Sequence, residues 1–274
     1  MIEIFKAILF GIVEGITEWL PISSTGHMIL LDEFIKLNVT DQFLEMFLVV
    51  IQLGAILAVV VLFWKKLFPV DFKEKYWLKP NIMQMWFKII VACIPAAVVG
   101  LLWEDYIDKL FYNYQTVAIA LIVFGVWFII IENKHKNSQP QINTIDDISY
   151  RTAFIIGLFQ LIAAVFPGTS RSGATIVGGL VLSMSRTIAA EFTFFMAVPV
   201  MFGASLLKLL KFGFEFEATE IGILLSGMIT AFVVSILAIK FLMGYIKKHD
   251  FKVFGWYRIV LGLIVLAYFG LSVS

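Results

Sequence analysis

The sequence is poor in charged residues and contains a single cysteine. Only 15% of its 274 residues are charged and 61% are hydrophobic, whereas about a quarter of a typical soluble domain is charged. A soluble fold of this length could not bury so much apolar surface. Cys93 lies alone in an apolar stretch, which excludes disulfide frameworks and thiolate metal sites. The net charge of +1 and the lack of a basic tract with interleaved aromatics indicate no nucleic-acid partner.

The sequence contains several long apolar segments. A bilayer core of about 30 Å needs roughly 20 mostly apolar residues per spanning helix. Six segments satisfy this requirement: about 43–64, 85–103, 115–132, 188–210, 220–243 and 254–272. The amino-terminal stretch MIEIFKAILFGIVEG has no basic n-region, so we expect it to remain in the mature protein.

Two further apolar stretches, roughly 4–33 and 150–184, are interrupted midway. The first is broken by PISSTGH at 21–27 and the second by PGTSRSG at 167–173. Each half is too short to span a bilayer, and irregular backbone at membrane depth is tolerated only inside protein or beside a watery cavity. The pattern predicts two re-entrant helical hairpins, with a kinked full span as the alternative.

The distribution of lysine and arginine predicts the orientation. With six spans and two hairpins, the basic loops all fall on one side, which we expect to be cytoplasmic. They hold Lys65, Lys66, Lys73, Lys75 and Lys79; Lys134, Lys136 and Arg151; and Lys247, Lys248 and Lys252. The second and fourth loops, around 104–109 and 208–220, are acidic on balance. Both termini and the mouth of the first hairpin are then expected outside.

A shift of 146 residues overlays the two hairpins. It matches Gly11 with Gly157, Glu14 with Gln160 and Pro21 with Pro167. Each half then has a hairpin followed by three spans, and an odd number of spans turns the second half upside down, as in an inverted-topology repeat. We therefore predict an all-α polytopic membrane protein with six transmembrane helices and two re-entrant hairpins. It would form a single membrane domain, 1–274, from repeats of approximately 1–140 and 150–274 joined by a cytoplasmic linker, 133–150.

Glu14 and Glu18 are four residues apart, so they lie on one helical face. Two carboxylates this close repel each other in a low-dielectric place unless a cation lies between them or one is protonated. Oxygen ligands suit Mg²⁺ or Ca²⁺. The pair is therefore a candidate site for a divalent cation, and a single carboxylate capping a neighbouring helix is the structural alternative.

The hydroxyl residues of the first break precede an apolar helix. Such residues act as N-caps, and the exposed N–H groups with the helix dipole form an anion site. His27 lies three residues after Ser24, and a serine beside a base is the general form of an activated nucleophile. Glu18 could orient His27. The structural alternative is a capping serine and a packed histidine.

Arg171 stands among hydroxyl residues at the second break. An arginine within a bilayer must be paired, and its planar fork of donors matches a phosphate group. A glutamate of the first hairpin is the alternative partner. Carboxylates, a Ser/His pair, an arginine and two helix N-termini are the parts that phosphoryl transfer requires, because its barrier falls through positioning and charge neutralisation.

At these residues the chain resembles the undecaprenyl-diphosphate phosphatase family, which is also known for bacitracin resistance. The resemblance covers the whole chain and is carried by EGITEWLPISSTGH at 14–27 and PGTSRSGAT at 167–175. It implies hydrolysis of undecaprenyl diphosphate to the monophosphate carrier and inorganic phosphate, recycling the carrier for cell-wall synthesis. A divalent cation, an outward-facing site in the bacterial plasma membrane, contact with membrane lipids and sequestration of the substrate by bacitracin are also implied. A homodimer is one form of assembly consistent with it.

The resemblance assigns roles by position. Ser24 is the expected nucleophile, His27 its activator and Arg171 the diphosphate clamp, while Glu14 and Glu18 hold the metal or, for Glu18, orient His27. Attack by His27 or by metal-activated water stays open. The expected substrate-binding residues are Ser23, Thr25, Gly26, Gly168, Ser170, Ser172 and Thr175. The alternative function is an inverted-repeat transporter or lipid flippase without hydrolysis.

Overall fold

The computed structural model describes residues 1–70, 78–135, 139–213 and 215–272, and these form eleven helices. Within these ranges no strand forms, apart from two isolated bridges. The helices are α1 Ile2–Thr17, α2 Ser24–Phe34, α3 Asp41–Leu62, α4 Trp64–Leu67, α5 Pro80–Phe111, α6 Tyr114–His135, α7 Tyr150–Val165, α8 Arg171–Val181, α9 Arg186–Phe212, α10 Ala218–Tyr245 and α11 Lys252–Ser272.

Six of these helices are long and apolar enough to cross a membrane: α3, α5, α6, α9, α10 and α11. They coincide with the six segments predicted from the sequence, with ends that differ by a few residues. The prediction of a helical, multi-pass membrane protein is confirmed at this level. Lys73, Lys75 and Lys136 lie outside the described residues, as do the side chains of Glu104, Asp105 and Asp108.

The two interrupted stretches form pairs of shorter helices. α1 and α7 have 16 residues each, and α2 and α8 have 11, so α2 and α8 are each about 16 Å long. The first break covers 18–23 and the second 166–170. Each break contains a proline, which cannot continue a helix because it lacks an N–H. Trp19, Leu20 and Ile22 are buried, so the first break lies inside the protein.

Glycines allow α1 and α7 to approach the long helices closely. A Cβ built on Gly11 of α1 would lie 2.5 Å from the carbonyl oxygen of Gly227 in α10, and one on Gly157 of α7 would lie 2.3 Å from that of Ala92 in α5. Small residues are favoured at helix contacts in membranes because association there depends on close packing. The two glycines that the sequence overlay matched therefore make equivalent contacts.

The crossing of α6 and α11 is equally close. A Cβ on Gly125 would lie 2.7 Å from the carbonyl oxygen of Gly255, and one on Gly262 would lie 2.8 Å from that of Ala118. Arg258 lies midway between these two contact points. The side chain of Arg258 therefore starts from one of the tightest helix contacts of the molecule.

Ion pairs join the helices near their ends. Glu45 pairs with Lys208 at one end of the α3–α9 contact, and Glu191 pairs with Lys66 at 2.8 Å at the other. Arg186, at the start of α9, forms a 2.5 Å ion pair with the fully buried Glu132. These pairs join α3, the short helix α4 and α6 to α9.

Candidate active site

The two 11-residue helices, α2 and α8, each begin after a serine with strained backbone. Ser23 has φ 73° and Ser170 has φ 70°, a region that costs a non-glycine residue roughly 1–3 kcal/mol and clusters at functional sites. Each serine caps its helix: the Ser23 side chain accepts from the N–H of Gly26 and the Ser170 side chain from that of Gly173. The two caps are 147 positions apart, one more than the gap-free overlay of 146, so the caps and the overlay differ by one residue at the breaks.

The residues that follow the two caps meet on one carboxylate. Ser24 Oγ donates to Glu18 Oε2 at 2.7 Å, and Arg171 Nη2 donates to Glu18 Oε1 at 2.9 Å. Ser24 is the first residue of α2 and Arg171 the first of α8. Glu18 thus joins the two breaks, which are about 150 residues apart in the sequence.

Arg171 keeps part of its guanidinium free of side-chain partners. Its Nη1 donates to the carbonyl oxygen of Thr193 in α9 at 3.1 Å, and its Nε is buried without a hydrogen-bond partner. The side chains of Glu18 and Arg171 are 6% and 14% exposed, so the pair is largely removed from solvent. Because guanidinium donors bind phosphate oxygens in a fork, Arg171 can contact an anion while Glu18 holds it in place.

His27 faces a different partner from the one expected. Its Nδ1 donates to the carbonyl oxygen of Ser23 at 2.7 Å, and its Nε2 lies 2.7 Å from the hydroxyl of Tyr257. A carbonyl oxygen can only accept, so Nδ1 carries a proton, and when the ring is neutral Nε2 accepts from the Tyr257 hydroxyl. The expected Ser24–His27 pair is therefore not formed among the described residues, and Glu18 stands beside Ser24 instead of orienting His27.

Glu14 lies in α1, one helical turn before Glu18 at the end of that helix, so both carboxyl groups are on the same face. The Glu14 side chain is 1% exposed, and its Oε1 has no hydrogen-bond partner. Across the residues that the structure describes, no three His, Cys, Asp or Glu side chains form a metal-binding group. Two carboxylates still fit Mg²⁺, because this ion is usually held by one or two carboxylates and completes its shell with waters and substrate phosphates.

Most of the other predicted binding residues support the backbone of the breaks. Ser172 Oγ donates to the carbonyl oxygen of Glu18 at 3.1 Å, and Thr175 Oγ1 donates to that of Arg171 at 2.9 Å. Gly168 has φ +92°, and a Cβ there would lie 2.5 Å from the carbonyl oxygen of Val117. Thr25 is half-buried beside Ser24, at the edge of the site. These hydroxyl residues and glycines therefore hold the backbone of the site in place as well as lining it.

Two residues of the site were missed in the sequence. Arg258, in α11, contacts both breaks, and its neighbour Tyr257 contacts His27. Arg258 is the one charged residue in the predicted span 254–272. A charge within an apolar span is costly and marks function by default, and that signal would have found it.

Comparisons with known proteins agree over nearly the whole chain. The family described as bacitracin resistance protein BacA matches residues 7–264. The undecaprenyl-diphosphatase of Desulfitobacterium hafniense is 70% identical, over 98% of this chain and 97% of its own. Undecaprenyl-diphosphatase 1 of Clostridium acetobutylicum is 67% identical over 98% of both chains, and an undecaprenyl-diphosphatase of Enterococcus faecalis is 60% identical over 97% of this chain and 96% of its own.

Proposed function

This chain belongs to the bacitracin resistance protein BacA family, and from that premise we infer that it is an integral membrane undecaprenyl-diphosphatase. It hydrolyses undecaprenyl diphosphate to undecaprenyl phosphate and inorganic phosphate, and so recycles the lipid carrier for cell-wall synthesis. Bacitracin acts on this cycle by sequestering the substrate. The observation that carries the inference is the carboxylate of Glu18, held between Ser24 and Arg171 at the meeting point of the two helix breaks.

Ser24 is the proposed nucleophile and Glu18 its base. The Ser24 hydroxyl already donates to Glu18 Oε2 at 2.7 Å, within the distance needed for proton transfer. In the first step the Ser24 oxygen bonds to the terminal phosphorus, its proton passes to Glu18, and the bridging oxygen leaves on undecaprenyl phosphate. In the second step water attacks the phosphoserine and inorganic phosphate is released. Direct attack by water, with Glu18 as base, is distinguished by the absence of a trapped phosphoserine.

Arg171 and the two helix N-termini supply the positive charge. Arg171 Nε has no hydrogen-bond partner, and Ser24 and Arg171, the first residues of α2 and α8, contact the same carboxylate. Positioning and charge neutralisation are the main sources of catalysis in phosphoryl transfer, since charge spreads over the equatorial oxygens in the transition state. Thr25, half-buried next to Ser24, completes the set of polar groups at the terminal phosphate.

A divalent cation, Mg²⁺ or Ca²⁺, is proposed to bind at Glu14, with Glu18 as the second protein ligand. The unpartnered Oε1 of Glu14 supports this assignment, because a buried carboxylate oxygen needs a positive partner. When bound, such an ion would neutralise charge on the diphosphate oxygens. Glu14 contributes to the reaction by holding the ion on the helical face that it shares with Glu18.

We further propose that α1–α2 and α7–α8 are re-entrant hairpins within one membrane domain of inverted repeats. The reciprocal glycine contacts support this architecture. Two contacts join α6 and α11: Gly125 with Gly255, and Ala118 with Gly262. A shift of 137 positions converts one contact into the other, as a two-fold axis between the two helices requires. The contacts of α1 with α10 and of α7 with α5 interchange in the same way. Broken helices that meet near the midplane are typical of such repeats.

The same proposal sets the location of the site. The distribution of basic residues supports a cytoplasmic 133–150 with both termini outside, and in this orientation α1 and α2 open toward the outer face of the bacterial plasma membrane. Cysteine labelling tests this orientation. Single cysteines are introduced near residues 38 and 248 in a Cys93→Ser background and treated with a maleimide that does not cross the membrane. Labelling from outside at 248 and not at 38 contradicts it. Assembly as a homodimer stays a prediction that cross-linking in membranes checks.

Phosphate release from undecaprenyl diphosphate by purified protein tests the function. We expect release by the wild-type protein, loss of release when a chelator removes divalent cations, and no release by Ser24→Ala. Wild-type protein that binds the substrate without releasing phosphate would support the alternative, a transporter or lipid flippase. The relatives favour hydrolysis, since they are named as diphosphatases.

A further inference from the structure

Arg258 contacts the backbone of both helix breaks at once. Its Nη1 donates to the carbonyl oxygen of Pro21, in the first break, at 3.3 Å. Its Nη2 donates to the carbonyl oxygens of Gly168 and Thr169, in the second break, at 3.0 and 2.6 Å. One guanidinium on α11 therefore bridges two segments that are remote in sequence.

The surroundings of Arg258 are unusual for a buried charge. The residue is 0% exposed, its Nε has no partner, and its guanidinium lies 5.8 Å from the centre of the Phe124 ring. In the part of the chain that the structure describes, no carboxylate lies within ion-pair distance of it. A buried charge without a counter-ion is costly, so the contacts to the breaks require an explanation beyond packing.

The base of this side chain is fixed independently of both hairpins. Arg258 lies between Gly255 and Gly262, and both glycines are in close contact with α6. The pair α6 and α11 thus forms a platform from which the guanidinium reaches the breaks. Because the platform belongs to neither hairpin, it can set their relative position.

We propose that Arg258 is a positioning residue of the diphosphatase site: it holds the two helix breaks in the register that brings Ser24 and Arg171 to the same carboxylate. Ser24 follows Pro21 by three residues and Arg171 follows Thr169 by two, so a shift of either carbonyl moves a reacting group. The inference rests on the proposed function. It concerns a residue that contacts the backbone of the site and not the substrate.

Kinetics of an Arg258→Met variant test the proposal. Methionine preserves much of the volume but none of the donors, so the breaks lose their common partner. We expect kcat for phosphate release to fall about 100-fold, the loss typical of a misplacement near 1 Å, with KM changed less than kcat. The kcat of Arg258→Lys should lie between those of the wild type and Arg258→Met, because a compact ammonium keeps the charge but lacks the fork that reaches both breaks. Unchanged kcat in Arg258→Met, or a higher KM with unchanged kcat, overturns the proposal.

A second variant moves the guanidinium without removing its charge. A Cβ on Gly173 would lie 2.7 Å from Arg258 Nη1, so Gly173→Ala should push the guanidinium away from the carbonyl groups. We expect a lower kcat in Gly173→Ala and no further loss when it is added to Arg258→Met, since contacting residues are not additive. If the two losses of kcat multiply in the double variant, the proposal is overturned. Gly173→Ala also provides the test if Arg258→Met does not fold.

Arg186→Met is the matched control. It removes an arginine that pairs with buried Glu132, away from the breaks, so we expect lower thermal stability with the wild-type kcat. An equal loss of kcat in this variant assigns the effect of Arg258→Met to general damage and overturns the proposal. Wild-type protein that releases no phosphate refutes the proposed function itself, whereas active wild-type protein with a normal Arg258→Met variant refutes only the positioning role.

Discussion

Substitution of Glu18 by glutamine separates the base that we propose, Glu18, from the base expected from the sequence, His27. Glutamine keeps the shape of the side chain, and its amide oxygen can still accept from Arg171, but it cannot take a proton from Ser24. Loss of a general base costs about 10²–10⁴-fold in rate, or about 3–5 kcal/mol of barrier. We therefore expect kcat for phosphate release to fall by that factor in Glu18→Gln while the protein still folds.

The comparison with His27→Asn makes this prediction sharp. His27 reaches Ser24 only through the carbonyl group of Ser23, in a hydrogen bond of 2.7 Å. Such a bond contributes about 1 kcal/mol, which corresponds to roughly fivefold in rate. The asparagine amide can also donate to the same carbonyl oxygen. We expect His27→Asn to be slowed about fivefold, far less than Glu18→Gln.

The assay is phosphate release from undecaprenyl diphosphate in detergent at saturating substrate and divalent cation. Glu3→Gln is the control, because Glu3 belongs to the same helix but accepts from the N–H of Asn38 at 2.8 Å, away from the site; its kcat should equal that of the wild type. If His27→Asn abolishes release and Glu18→Gln retains it, the assignment of Glu18 as the base is refuted and the histidine pairing is restored.

Three further predictions concern the clamp, the cation and the packing. Arg171→Lys should lose at least about 100-fold in kcat/KM, since an ammonium cannot replace the fork that binds Glu18 and a phosphate together; a loss below tenfold contradicts the clamp. Glu14→Gln should require a higher concentration of divalent cation for half-maximal release, and an unchanged cation titration contradicts the proposed site. Gly157→Ala should lower thermal stability by about 1–3 kcal/mol, because the added Cβ would lie 2.3 Å from the Ala92 carbonyl oxygen, whereas Gly203→Ala, with nothing within 4 Å, should not.

Much of this architecture could be predicted because the signals are local. Twenty apolar residues in a row predict a span wherever they occur, and proline with hydroxyl residues interrupts a helix whatever surrounds it. The six spans and both breaks were therefore placed to within a few residues. The list of polar residues at the breaks followed in the same way, since few polar residues lie within apolar stretches.

The partners of those polar residues could not be read from spacing. A separation of three residues placed His27 within reach of Ser24, but in the structure Ser24 donates to Glu18 while His27 contacts the carbonyl oxygen of Ser23 and the hydroxyl of Tyr257. The one-residue difference between the cap spacing and the sequence overlay arises at the two strained serine caps. Left-handed backbone at a serine is set by the packing around it, and no local pattern predicts it.

The sequence by itself determined that this chain is a helical membrane protein with two polar interruptions, because composition and periodicity act within a single segment. Only the tertiary structure decided that Glu18 is shared by Ser24 and Arg171, and that Arg258 contacts both interruptions. These contacts depend on which helices pack together and at what depth. That choice is made by contacts such as those of Gly125 and Gly157 with distant carbonyl groups, so it is a property of the assembled fold.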